Sequence, residues 1–108
     1  MFCMYKENLV YELTNRRIEL KQLISSIDEK MPSYRRGSLF VKNNYYYIKY
    51  YELGKTVSEY LGKDLSLDKI ERIKQELRNY KTLKSRKSEY VKELNEIEKM
   101  ITHYGGKL

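Results

Sequence analysis

Cations and flat rings are interleaved through residues 37–62, GSLFVKNNYYYIKYYELGKTVSEYLG, so that one surface can carry both. The stretch holds six of the chain's twelve tyrosines, an Asn-Asn pair and three of the five glycines. Lysine ammoniums neutralise phosphates, and tyrosine rings stack on bases or pack along sugars. Two acid-free windows sharpen that chemistry. Between Glu29 and Glu52 there is no carboxylate, against Lys30, Arg35, Arg36, Lys42 and Lys49. Between Glu76 and Glu89 there is again none, against Arg78, Lys81, Lys84, Arg86 and Lys87. The competing reading is a solvated surface, with edge lysines deterring aggregation and tyrosines merely pairing across strands. On the central stretch the binding reading outweighs it. On the helical window the two stand level, because charge runs are usually solvated.

Other chemistry finds little support. His103 is the one histidine and Cys3 the one cysteine, so a multi-histidine metal site and an internal disulfide are both excluded. Cys3 has no base beside it in sequence and reads as inert. No Gly-rich loop ends in Lys-Ser or Lys-Thr, and no tyrosine has a basic catalytic cluster around it. The chain therefore reads as a non-enzymatic binding protein that needs no metal and no cofactor. A net charge of +7 over 108 residues favours polyanionic partners. Neither a membrane-length apolar run nor a signal peptide is visible, so a cytoplasmic location without membrane partners is expected.

The elements that must position these residues follow from periodicity. Leu9, Leu13, Leu20, Leu23 and Ile27 recur at helical spacing and predict a helix over 4–31, ended by Met31-Pro32. Arg16 interrupts that apolar stripe. Strands are predicted at 38–42, 45–51 and 55–61, with Asn43-Asn44 and Leu53-Gly54 as two-residue turns. Such turns set the pairing: Lys42 opposite Tyr45, Phe40 opposite Tyr47, and Tyr47 opposite Tyr60. Alternation then makes a sheet with two faces. One carries Leu39, Val41, Tyr46, Ile48, Tyr50, Val57 and Leu61, with Glu59 its one charge, and is expected to pack on the helices. The other carries Ser38, Phe40, Lys42, Tyr45, Tyr47, Lys49, Tyr51, Thr56, Ser58 and Tyr60.

After Gly62, Asp64 or Ser66 can cap a second helix over 66–103, with Leu67, Ile70, Ile73, Leu77, Tyr80, Leu83, Tyr90, Val91, Leu94, Ile97 and Ile101 as its stripe. No Gly or Pro interrupts residues 84–88, so the helix is expected to run through to Gly105-Gly106. The chain thus reads as one α+β domain: a long antiparallel, coiled-coil-like helical hairpin with a small three-stranded antiparallel β-sheet inserted between the helices. Folding the helices back with the sheet at one end places Arg16 near Lys81 or Lys84, concentrating cations midway along the pair. The two apolar stripes also allow a homodimer.

The series Gly37-Ser38-Leu39, Tyr45-Tyr46-Tyr47, Gly54-Lys55 and Tyr60-Leu61-Gly62 resembles the amino-terminal arm-type DNA-binding sheet of phage tyrosine integrases. It is similar also to short prokaryotic proteins that hold such a sheet between two charged helices. The likeness covers about 26 residues and lacks the integrase catalytic domain. It implies a sheet that enters the DNA major groove, with Phe40, Lys42, Tyr45, Tyr47, Lys49 and Ser58 as contacts. With the cations added, the candidate binding set is Arg35, Arg36, Phe40, Lys42, Tyr45, Tyr47, Lys49, Ser58, Tyr60, Lys81, Lys84, Arg86 and Lys87. The leading reading is a nucleic-acid-binding accessory factor of a phage or mobile element, with DNA ahead of RNA. The alternative is a protein-interaction module, such as a phage-encoded, anti-CRISPR-like inhibitor of a host nucleoprotein complex.

Overall fold

A computed structural model describes the backbone of residues 2–106 and the side chains of residues 8–106. The inert reading of Cys3 concerns a side chain outside the described residues. The chain runs α1 (Phe2–Lys30), a 3-10 turn (Met31–Ser33), β1 (Ser38–Lys42), β2 (Tyr45–Glu52), β3 (Lys55–Lys63) and α2 (Leu67–His103). It is an α+β arrangement in which a three-stranded antiparallel sheet, ordered β1-β2-β3, lies between two helices in sequence. The described residues fall into two compact units: a sheet unit of residues 31–83, and a helical unit of residues up to 30 with those from 84 onward.

The sheet unit is built by its turns. Asn43 and Asn44 adopt φ of 52° and 65°, and Leu53 and Gly54 adopt 51° and 79°. Positive φ at both central residues twists a two-residue turn in the sense that flanking strands need. The register follows as the turns predict: Lys42 pairs with Tyr45, Phe40 with Tyr47, Tyr47 with Tyr60 and Tyr51 with Thr56. Gly37 sits at φ 112°, and a Cβ there would collide with the Lys49 carbonyl, so only glycine lets β1 enter beside β2. β3 departs from expectation by running on to Lys63. A bulge opposite Tyr46/Tyr47 leaves Leu61 as the extra residue, so Gly62 faces Tyr46 and Lys63 faces Tyr45. The Asp64 N–H then donates to the Asn44 carbonyl at 2.9 Å, tying the end of β3 to the first turn.

The unit's core is Ile48 with Ile73 and Leu77 of α2, flanked by Leu39, Tyr50, Leu61 and Leu65. This is the apolar sheet face predicted, with one correction: Val41 is 48% exposed. It sits on edge strand β1 in the row of Tyr46 and Gly62, away from the Ile48 row that meets the helix. Leu67 is likewise exposed rather than part of the stripe, and Leu65 packs in its stead. Ser66 caps α2, its hydroxyl accepting from the Lys69 N–H at 3.2 Å.

In the helical unit, Leu20, Ile97 and Ile101 form the core with Leu13, Leu23, Tyr90 and Leu94 packed around them. α2 is unbroken through 84–88, as its sequence requires. It ends in a Schellman motif: the Gly106 N–H donates to the Ile101 carbonyl at 2.8 Å and the Gly105 N–H to the Thr102 carbonyl at 3.1 Å. The helices are antiparallel, since Asp28 meets Lys87 and Arg17 meets Glu98. Their register corrects the expectation for Arg16. Its partner is Glu93, at 3.0 Å. Lys84 lies nine residues earlier on α2, about 13 Å along the axis. The cationic cluster expected around Arg16 does not form, because Glu93 and Glu98 meet Arg16 and Arg17. Among the described residues no helix is long and apolar enough to cross a membrane.

Candidate functional site

The face of the sheet turned away from Ile48 is a grid fixed by pairing. Its rows are Lys42, Tyr45 and Lys63; then Phe40, Tyr47 and Tyr60; then Ser38, Lys49 and Ser58; and finally Tyr51 with Thr56. Paired residues in a sheet share a face, so these side chains stand together. The structure thus brings Phe40, Lys42, Tyr45, Tyr47, Lys49, Ser58 and Tyr60 onto one surface. No carboxylate belongs to any of these rows. Lys63 is missing from the sequence-derived set, because the bulge that swings it onto this face has no signal in alternation.

The rings on this face contact one another. Tyr47 lies 6.4 Å from Phe40 and 5.4 Å from Tyr60, and Tyr60 lies 6.2 Å from Tyr45. All three pairs are tilted, by 40° to 53°. Two of the rings also carry a cation. The Lys49 ammonium sits 4.1 Å from the Phe40 centroid, and that of Lys63 sits 5.3 Å from the Tyr45 centroid. A lysine over a ring keeps its charge toward water while the stem covers apolar surface. Among the described residues, no ion pair involves Lys42, Lys49 or Lys63.

Arg35 and Arg36 are placed differently. Arg36 pairs with Glu52 at 3.3 Å and lies 4.8 Å above the Tyr50 ring, on the helix side of the sheet. Arg35 pairs with Glu76 of α2 at 3.3 Å. Both line an open cavity of about 410 Å³ with Tyr34, Tyr50, Glu59 and Tyr80. Their charges are neutralised locally, so they do not add to the lysine face.

The helical window separates as well. Lys81 is an exposed residue of the sheet unit. In the helical unit Lys84 and Arg86 are exposed, while Lys87 pairs with Asp28 at 2.6 Å. The same unit holds Arg16, whose pKa lies above its ordinary value because the Glu93 carboxylate accepts its hydrogen bonds; partial burial opposes this and Glu19 adds to it. Among the described residues, no group of three or more His, Cys, Asp or Glu side chains is arranged to hold a metal ion.

Fold and site together define a class: a two-helix α+β protein whose inserted sheet displays a basic aromatic face. Residues 11–75 match the sequence model of a domain of unknown function, DUF6788, and the chain belongs to that family. The matched region contains the whole sheet and its turns. No curated protein and no solved structure matches the chain.

Proposed function

We propose that this protein binds nucleic acid, DNA in the first instance, through the outward face of its sheet. The observation that carries the reading is the carboxylate-free grid in which Lys42, Lys49 and Lys63 flank a row of aromatic rings. Its dimensions suit a duplex. At the backbone the row of Lys42 and Lys63 stands four residues along β2 from that of Lys49, about 13 Å, on the scale of the roughly 12 Å B-DNA major groove. Lysines rising from these rows meet phosphates while Tyr47 and Tyr60 face the groove, with the Lys49 ammonium carried over Phe40. The deep, narrow major groove of A-form RNA does not admit a sheet this way, which favours DNA. An accessory role in a phage or mobile element accords with the integrase-like residue pattern, with no recombinase chemistry in this chain.

Fluorescence anisotropy with a labelled duplex tests this. The protein binds, and the logarithm of the association constant falls linearly with that of salt concentration. Absence of binding to DNA and RNA at low salt overturns the reading.

One observation favours a protein partner as a second reading. Leu53, at the tip of the β2–β3 hairpin, is 96% exposed beside Tyr51, itself 70% exposed, and exposed apolar and tyrosine side chains are material for a protein hot spot. A complex of fixed stoichiometry with a host nucleoprotein, retained at high salt and lost in Leu53→Asn, is its signature. An inhibitor of the anti-CRISPR kind belongs to this second reading.

A further inference from the structure

The aromatic residues of the sheet face have two possible uses, and the geometry separates them. To stack on a base, a ring must offer a free face. Phe40 and Tyr45 do not. Phe40 lies under the Lys49 ammonium at 4.1 Å and Tyr45 under that of Lys63 at 5.3 Å. Tyr47 is held between Phe40 and Tyr60, and every neighbouring pair is tilted by 40° or more. Stacking a base on Phe40 or Tyr45 would first displace a cation from its ring.

We infer that Phe40 and Tyr45 are positioning residues that hold Lys49 and Lys63 as phosphate contacts, and that the face takes base-paired rather than single-stranded nucleic acid. The inference rests on the nucleic-acid reading above and names the form of its ligand. Ring and ammonium are mutually arranged by backbone pairing. Lys49 is on β2 opposite Ser38, and Phe40 is two residues further along β1, the diagonal neighbour across the strand pair. Lys63 reaches Tyr45 because of the β3 bulge, without which its side chain would turn to the other face. A lysine stem resting on a ring has fewer rotamers to lose when its ammonium meets a phosphate. Lysines so held suit the regularly spaced phosphates of a duplex better than a flexible strand, whose unstacked bases need the ring faces that the lysines cover.

The test compares one short DNA duplex with either of its separated strands, by anisotropy across a salt series. The duplex is expected to bind tighter than the single strand. Lys63→Gln should lower the slope of log affinity against log salt by about 0.9, the value of one phosphate contact on B-form DNA. Phe40→Leu keeps the Lys49 charge but should weaken duplex binding about two- to twelvefold, the cost of immobilising one freed lysine side chain, with Phe40→Trp restoring it. In the free protein, the upfield ring-current shift of the Lys49 ε-methylene protons should disappear in Phe40→Leu and persist in Phe40→Trp. Circular dichroism of each variant checks that the fold is kept. Single-strand binding equal to or tighter than duplex binding overturns the inference, as does an unchanged slope in Lys63→Gln or unchanged affinity in Phe40→Leu. Failure of the unaltered protein to bind either form overturns the underlying reading, and this one with it.

Discussion

Arg16 and Glu93 meet as a two-pronged pair, the arginine Nε donating to one carboxylate oxygen and Nη2 to the other, each at 3.0 Å. The Arg16 Nη1 also reaches Glu19 at 2.9 Å, one turn along its own helix. A planar guanidinium matches a carboxylate in this geometry, and the match is directional as well as attractive. Leu20, one turn from Arg16 along α1, lies in the core with Ile97 and Ile101. The pair, with Arg17–Glu98 and Lys87–Asp28, favours one alignment of the turns of α2 against those of α1, a choice that an apolar stripe alone leaves open.

Exchanging these charges tests that role. Arg16→Glu and Glu93→Arg should each lower the thermal midpoint, by placing like charges face to face. The double exchange should recover most of the loss. A double variant no better than the sum of the single ones would show that the pair does not set register.

What the sequence makes legible differs between the two units, for a physical reason. In the sheet, a two-residue turn permits one register, so Asn43-Asn44 and Leu53-Gly54 by themselves dictate the partners of Phe40, Tyr47 and Tyr60. The bulge at Leu61 escapes this logic. Inserting one residue leaves the apolar pattern intact, since Leu61 still packs beside Ile48, and only the placement of Lys63 betrays it. In the helical pair no short turn joins the elements, so periodicity alone makes Arg16 an interruption that falls near Lys81 or Lys84. The partner that rescues it, Glu93, is one of several carboxylates on α2, and the sequence does not say which arrives. Arg35 and Arg36 pose a related difficulty. Charge counting places them with Lys42 and Lys49, but Glu52 and Glu76 hold them on the helix side of the sheet.

Leu53 stores avoidable strain. It adopts φ 51° while being 96% exposed, so a branched apolar side chain occupies a left-handed position without burial in return. Leu53→Asn should stabilise the protein by about 0.5–1 kcal/mol, since asparagine tolerates that conformation and is favoured in such turns. A shift of the urea midpoint to higher concentration, at unchanged slope, is the expected observation. An unchanged or lower midpoint would mean that the left-handed position costs leucine no more than it costs asparagine.

Gly37 and Ile48 are two positions at which the sheet tolerates little change. Ile48 is 1% exposed against Ile73 and Leu77, so Ile48→Ala removes buried methyl groups and leaves a cavity, at about 2–5 kcal/mol. Gly37→Ala should also destabilise, by strain at φ 112° and by collision with the Lys49 carbonyl. Urea titration measures both changes. A loss below about 1 kcal/mol for Ile48→Ala would mean that this core is not well packed.

Lys49 and Arg36 separate binding from stability most cleanly, because they stand on opposite sides of the sheet. Lys49 projects over Phe40 with no carboxylate in its row, so Lys49→Glu loses that one contact and should lower stability by no more than about 1 kcal/mol. On the proposed reading it sets a negative charge against phosphates, and duplex affinity at moderate salt should fall about tenfold or more, with a shallower salt dependence. Arg36 is engaged with Glu52 and the Tyr50 ring. Arg36→Glu sets two carboxylates together and uncovers that ring, and should lower stability by about 1 kcal/mol while leaving the affinity of the folded protein within about twofold. Paired anisotropy and urea titrations decide the matter. If Arg36→Glu abolishes binding in a folded protein while Lys49→Glu does not, the ligand lies on the helix side of the sheet, in the cavity lined by Arg35, Arg36 and Tyr80, and the lysine face is a solvated surface.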